Sequence, residues 1–201
     1  MKTRMKTDDT SMRKKIIAAA VECIEKFGLN GLTVRRIAKE AKVNIAAINY
    51  YFGSKDRLID ELIKQTLYTG FEENINDFLI KYKETPHKAL ELFFLEIMGG
   101  GLRYPNLIKI HFYEAFVNNN YKTISVKKVN SFIHEFEKVV CLLLPQKAKK
   151  DCTMDMVQLW SAIFFPIVFP GMMREYAGFD FADPQVQKEY VRKLIKIYFG
   201  E

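Results

Sequence analysis

Cysteine is scarce in this chain. There are three in 201 residues, Cys23, Cys141 and Cys152, with no Cys-x-x-Cys and no Cys/His ligand spacing. An odd, widely spaced set supports neither a disulfide scaffold nor a zinc site. Cys23 falls on the apolar face of the first helix, where a buried, inert thiol is the default. Cys141 and Cys152 flank one helix connection, so a reactive sensor pair there is conceivable; activity unchanged in a double serine variant would remove it. Catalytic signatures are equally thin: no Ser/His/Asp or Cys/His set stands in a recognisable motif. Gly99-Gly100-Gly101 is not a phosphate loop, because Leu102-Arg103 follows where Lys-Ser/Thr is required and no strand precedes it. The N-terminus has no apolar h-region, so no secretory signal is evident and a cytoplasmic protein is expected. The most apolar stretch, from Met156 to Met173, is interrupted by Pro166 and Pro170 and falls short of the ~20 residues a membrane span needs.

What is present is a globular composition, 49% hydrophobic and 27% charged, enough for one large or two small domains. The net charge of +7 is localised. Residues 1–57 carry thirteen Lys and Arg against six Asp and Glu, while the remainder is balanced at eighteen of each. That asymmetry is the footprint of a module that neutralises phosphates, with steeply salt-dependent binding. A basic tail without function, Lys2, Arg4 and Lys6, is the plain alternative.

The positive region contains Leu32 to Lys55, LTVRRIAKEAKVNIAAINYYFGSK. Two short periodic segments, Val34-Ile37-Ala38-Ala41 and Val43-Ala47-Ile48-Phe52, flank a break too short to join independent helices. That is a helix-turn-helix pattern. Asn44 is a good N-cap for the second segment, and Val43 can close on Ile48 as a hydrophobic staple. Ala47, Ile48 and Phe52 share one face, and Ile45, Ala46, Asn49 and Tyr50 the other. No acidic residue occurs from Asn44 to Tyr51. Such a helix suits a major groove. Ala46 and Ala47 permit close approach, Ile45 can touch a thymine methyl, Asn49 can read adenine, and Tyr50 and Tyr51 can reach phosphates. A plain helical hairpin with a solvated outer face is the bland reading, and Asn-Tyr-Tyr without Glu or Asp fits it poorly.

Residues 10–58 resemble the DNA-binding domain of the TetR family of transcriptional regulators, and Ala47-Ile48-Asn49-Tyr50-Tyr51-Phe52-Gly53-Ser54-Lys55 is similar to that family's most recognisable run. The resemblance implies DNA contacts from Thr33 and Arg35, from Asn44, Ile45, Ala46, Ala47, Asn49, Tyr50 and Tyr51, and from Lys55 at the start of the next helix. Lys42 departs from the family pattern, which has glycine in the turn. A lysine at positive φ costs ~1 kcal/mol, so either the turn differs or the cost is tolerated with the amine near a phosphate.

Along the chain the pattern predicts an all-α protein of about nine helices: an N-terminal three-helix bundle, residues 1–53, and a larger helical bundle, residues 54–201. Met1 to Asp9 reads as a polar, mobile lead. The first helix runs from Thr10 or Ser11 to Phe27, with Ile16, Ala20, Ile24 and Phe27 inward, and Gly28 ends it. Arg13, Lys14 and Lys15 read as phosphate-facing or solvated. Thr33 caps the second helix. Ser54 caps a fourth that carries Leu58, Leu62, Phe71, Ile75, Phe78 or Leu79 and Tyr82, with Gly70 as its weak point; such a rod is a natural lever for a signal. Pro86 opens a fifth that the triple glycine terminates, and Pro105 opens a sixth ending at Asn118-Asn119-Asn120. A seventh runs from Tyr121 to Leu144, stopped by Pro145. An eighth spans Asp151 to Tyr176, and a ninth Pro184 to Phe199.

By resemblance, the last two of these helices form a homodimer, which also lets two recognition helices read the half-sites of a palindromic operator in double-stranded DNA. Helices five to eight are rich in Phe, Met and Tyr, which fill a core or line a pocket for a small apolar effector. The family analogy favours the pocket, with Phe93, Ile97, Met98, Phe112, Phe116, Phe136, Trp160 and Phe164 as its lining. Glu114, His111 or His134 are possible polar anchors, each histidine being more simply surface or structural. The expectation is a repressor released from its operator by such an effector, with no cofactor, no metal and no membrane partner. A helical enzyme and a DNA-binding adaptor without regulatory function are the alternatives.

Overall fold

The computed structural model describes residues 2–70, 85–143 and 148–200. The chain divides into two compact units, Met1–Thr69 and Gly70–Glu201. Among the described residues every regular element is helical, and there are eleven helices. The first unit takes in the fourth helix, which Arg13 of the first helix meets through Glu61.

The first unit contains α1 (Lys2–Gly31), α2 (Val34–Ala41), α3 (Ile45–Phe52) and α4 (Lys55–Gly70). Ile16, Ala20 and Ile24 of α1, Ile37 of α2, Ile48 of α3, and Leu58 and Leu62 of α4 are buried in it. Each isoleucine and leucine among them contributes roughly 1.5–3 kcal/mol of apolar burial. Two expectations for α1 are corrected. Its helical backbone starts at Lys2 instead of after a mobile lead, since no glycine or proline interrupts the first nine residues. Phe27 does not join the core but is half exposed, with the Arg36 guanidinium 4.5 Å from its ring centre. The helix breaks at Gly28, where φ is 67°.

The second unit contains α5 (Pro86–Arg103), α6 (Pro105–His111), α7 (Tyr113–Asn118), α8 (Ile124–Leu143), α9 (Lys149–Val168), α10 (Pro170–Ala177) and α11 (Pro184–Phe199). Its centre is α9, packed against α5, α6, α8 and α11. The core gathers Phe94, Met98, Phe136, Met156, Leu159, Ile163, Val191 and Ile195. Polar ties accompany it: the Tyr190 hydroxyl donates to the Ala162 carbonyl at 2.9 Å, and Arg192 Nε donates to Glu91 at 2.8 Å.

Three differences from the expected helices have local causes. The triple glycine does not terminate α5, which continues to Arg103. A Cβ at Gly101 would lie 2.7 Å from Ile167 Cγ2, so the bare backbone lets α5 approach α9 closely. The expected sixth helix is two, separated at Phe112. The expected eighth is also two, α9 and α10, bent by 92°. Pro170 disfavours the helical conformation at Phe169, and Phe169 has φ −125° and ψ 52°. Pro166 stays within α9. No single described helix is long and apolar enough to cross a membrane; α9 with α10 would qualify jointly by length and composition, but for the bend. Phe71, Ile75, Phe78, Leu79 and Tyr82 of the expected fourth helix, and Leu144, Pro145 and Lys147 after the seventh, lie outside the described residues.

Candidate nucleic-acid interface

Local capping fixes the two short helices of the N-terminal unit. Thr33 Oγ1 accepts from the Arg36 amide at 3.2 Å and opens α2, and Asn44 Oδ1 accepts from the Ala46 amide at 2.9 Å and opens α3. Between them Lys42 adopts the left-handed conformation, φ 52° and ψ 49°, with its amide turned back to the Ala38 and Lys39 carbonyls. The turn is therefore the one that glycine favours, and this chain builds it with lysine. At the far end of α3, the Gly53 amide donates to the Asn49 carbonyl at 2.8 Å with φ 74°, a value that suits glycine. Ser54 Oγ then accepts from the Arg57 amide at 3.2 Å and starts α4.

This framework divides α3 as its sequence implies. Ile48 and Phe52 are buried, Ala47 is half-buried, and Ile45, Ala46, Asn49 and Tyr50 are exposed. Tyr50 is the most open of these, 82% exposed. Tyr51 is half-buried, edge-on to Tyr50 with ring centres 5.1 Å apart. Thr33, Arg35 and Asn44 are exposed, and Lys55 is half-buried at the first position of α4. The expected DNA-contacting positions thus lie on α2, α3 and the start of α4 within one compact unit.

Arg13 has a different place from the phosphate-facing or solvated one expected for it. Its Nη1 donates to Glu61 Oε2 at 2.9 Å, and its guanidinium lies 5.2 Å from the Phe52 ring centre and 5.9 Å from that of Tyr51. It therefore braces α1 against α4 and the end of α3. Arg36 is likewise structural, with Nη1 donating to the Gly31 carbonyl while its plane covers Phe27. Neither role has a signature in the local sequence, since an arginine on a basic helix looks the same whether it faces phosphate or a carboxylate of another helix. Cys23 is buried and free, and burial, followed by the charge of Glu40, pushes its thiol above its ordinary range. That agrees with an inert core thiol.

In the second unit the expected lining residues fall into two groups. Phe93, Phe136 and Trp160 meet in one aromatic cluster: Phe93 stacks on Phe136 at 4.6 Å, and Trp160 stands edge-on to both at 6.4 and 5.9 Å. Met98 is fully buried in the same core and Ile97 packs against it. Phe112 and Phe164 meet separately, edge to face at 5.0 Å, with Phe116 at 6.2 Å from Phe112 but more than half exposed. Glu114 is partly covered, and both its oxygens accept from the Asn118 amide nitrogen at 3.1 Å. His111 is buried, 2.9 Å from Ser125 Oγ through Nδ1, and burial pushes its value down to about 4, so the ring is neutral. His134 is exposed, 3.7 Å from Glu137. Among the described residues no group of His, Cys, Asp and Glu is placed to hold a metal ion.

Comparison with known proteins agrees with the geometry of the first unit. Residues 16–62 match the family described as bacterial regulatory proteins, tetR family. The probable HTH-type transcriptional regulator YttP of Bacillus subtilis is 26% identical over 193 residues, spanning 92% of this chain and 90% of that protein. The HTH-type nicotine-responsive transcriptional repressor HdnoR of Paenarthrobacter nicotinovorans is 25% identical over 151 residues, 73% of this chain and 74% of the other. In three dimensions, a putative TetR-family transcriptional regulator from Mesorhizobium loti superposes with a TM-score of 0.70 at 12% identity, covering 94% of this chain and 96% of that one. All three are named as transcriptional regulators or repressors. The helix-turn-helix geometry and the family match lead to one conclusion: residues 16–62 form a DNA-binding domain of the kind found in bacterial regulatory proteins of the tetR family.

Proposed function

We propose that the protein is a homodimeric cytoplasmic repressor that leaves its operator when a small, largely apolar effector binds the C-terminal region. In this reading residues 1–53 read DNA and residues 54–201 bind the effector and dimerise. The observation that carries the DNA half is the outer face of α3. Ile45, Ala46, Asn49 and Tyr50 stand exposed on a helix capped at both ends, with no carboxylate among them. A major groove rewards that set and water does not. Thr33, Arg35, Tyr51 and Lys55 supply the phosphate contacts that set register.

Dimerisation is supported by the open faces of the last long helices. Met154, Val157 and Phe165 of α9 and Ile197 of α11 are each at least 43% exposed. A lone recognition helix reads too few base pairs, so a two-fold pair reading half-sites is the workable arrangement. Effector binding is supported by the aromatic cluster of Phe93, Phe136 and Trp160, and by the relative whose name records a response to nicotine. The decisive experiment is selection of duplexes from a randomised pool, followed by affinity measurement at several salt concentrations. Enrichment of palindromes and a steep loss of affinity with salt support the reading. Uniform coating of all sequences would indicate a non-regulatory DNA-binding protein, and no binding at low salt would remove the proposal.

A further inference from the structure

Cys141 near the end of α8 and Cys152 in the first turn of α9 are joined as a disulfide, with Cα atoms 6.2 Å apart, inside the range such a bridge requires. Sequence spacing alone supports no disulfide framework, and the fold makes this pair because α8 and α9 are packed neighbours across a short connection. The two sulfurs differ in surroundings. Cys152 is 2% exposed and lies in the core with Phe136, Val140 and Met156, whereas Cys141 is only partly buried at the edge of that core. A second tie lies beside the bridge, where the Thr153 hydroxyl donates to Glu137, again joining α9 to α8. Loss of the covalent link therefore leaves the two helices associated, which is what a reversible contact needs. The remaining cysteine, Cys23, belongs to the other compact unit and is buried.

A protein that binds bacterial DNA works where thiols are kept reduced, and bridges in such surroundings are mostly transient and sensing instead of structural. The geometry points to Cys141 and Cys152 as a reversible thiol–disulfide switch, oxidised by peroxides, whose state sets the affinity of the protein for its operator. The chemistry balances in two steps. The Cys141 thiolate attacks one oxygen of hydrogen peroxide, the O–O bond breaks, and the hydroxide that leaves takes up a proton, giving a sulfenic acid and water. The Cys152 thiol then displaces the second oxygen as water, forming the S–S bond; the two sulfurs together lose two electrons and the peroxide gains them. A small thiol reverses the reaction by exchange. The link to DNA rests on the function proposed above. The bridge ties α9 to α8, and the outer face of α9 is the surface assigned there to the partner subunit, so a change in that packing changes how two copies of the chain meet.

The test uses the full chain, reduced with dithiothreitol or treated with hydrogen peroxide, and duplexes selected from a randomised pool by each form separately. Peroxide is expected to lower the mass by two hydrogens, to leave one titratable thiol in the denatured chain, and to yield one cross-linked peptide pair holding Cys141 and Cys152. Affinity for the selected duplex is expected to differ between the two forms by about fivefold or more, the lower end of usual coupling between sites. Cys141→Ser and Cys152→Ala should each abolish both responses, and Cys23→Ser should leave both intact; the Cys141 variant stands even if loss of the buried Cys152 impairs folding. No cross-link after peroxide overturns the proposal. So does a cross-link that leaves affinity unchanged to within about twofold, well under typical coupling. Failure of both forms to bind any duplex overturns the DNA-binding reading instead, and the cross-linking result distinguishes the two failures.

Discussion

Arg13 of α1 meets Glu61 of α4 with 2.9 Å between Nη1 and Oε2, while the same guanidinium lies over Phe52. A charge that looks available for DNA is thereby committed to holding the recognition helix in place. Arg13→Ala is expected to destabilise the protein by about 1 kcal/mol, combining a partly exposed ion pair of roughly 0.2–1 kcal/mol with a cation–ring contact of roughly 0.5–1 kcal/mol. Glu61→Gln should cost about 0.5 kcal/mol and lose its effect in high salt, whereas the ring contact persists. Urea unfolding at low and high ionic strength separates the two; equal effects for both variants at all salt concentrations would contradict the division.

Lys42 at φ 52° carries a backbone penalty that glycine would not. Lys42→Gly is expected to raise stability by about 1 kcal/mol. A lower denaturation midpoint for this variant would show that the lysine side chain makes a stabilising contact outweighing the strain. If the amine also lies against a phosphate in the complex, the same substitution reduces the salt slope of DNA binding by about one.

Asn44 and Asn49 are both exposed residues of one short segment, yet they should behave oppositely. Asn44 holds the first turn of α3 through Ala46, so Asn44→Ala should cost about 1 kcal/mol of stability. Asn49→Ala should change stability by less than about 0.5 kcal/mol, as an exposed substitution does, while reducing discrimination between the selected duplex and a single-base variant by about 1–3 kcal/mol. Stability and DNA selectivity moving together in both variants would argue against separate roles.

His111 is buried and neutral, with its value pushed down from 6.5 to about 4 by burial. As pH falls, the unfolded chain takes up this proton before the folded one does. The stabilisation is therefore whole above about pH 6.5 and is lost as pH falls toward 4. Between about pH 7.5 and about pH 5 the loss from this residue is about 2 kcal/mol. His111→Gln should flatten that part of the pH–stability curve, and equal slopes for both proteins would show that the ring titrates normally.

Trp160 is the chain's one tryptophan and stands among Phe93, Phe94, Phe132 and Phe136. An effector that enters this cluster should shift or quench its emission, and Phe93→Ala should weaken that response while leaving DNA binding in place. A compound that releases DNA without changing Trp160 emission would move the effector site elsewhere.

The helix-turn-helix could be read from the chain because everything that builds it is nearby. Asn44 caps a helix through a residue two positions on, Thr33 through one three positions on, and the buried face of α3 follows from a spacing of four between Ile48 and Phe52. Lys42, by contrast, stands out only against the family pattern, which has glycine in that turn. Signals that depend on distant partners misled. Gly99-Gly100-Gly101 reads as a helix stop, but Ile167 from another helix lies against Gly101 and the helix continues. Phe27 fits the apolar stripe of α1, yet its position leaves it half exposed beneath Arg36.

The order and spacing of residues 32–55 were enough to determine that this chain builds a helix-turn-helix with an open, uncharged face on its second helix, because periodicity and capping act over one or two turns. Tertiary structure alone decided that Arg13 serves Glu61 across 48 residues of sequence and which aromatic rings surround Trp160. Those pairings are set by how whole helices pack, and packing sums weak contacts from many remote positions that no local pattern records.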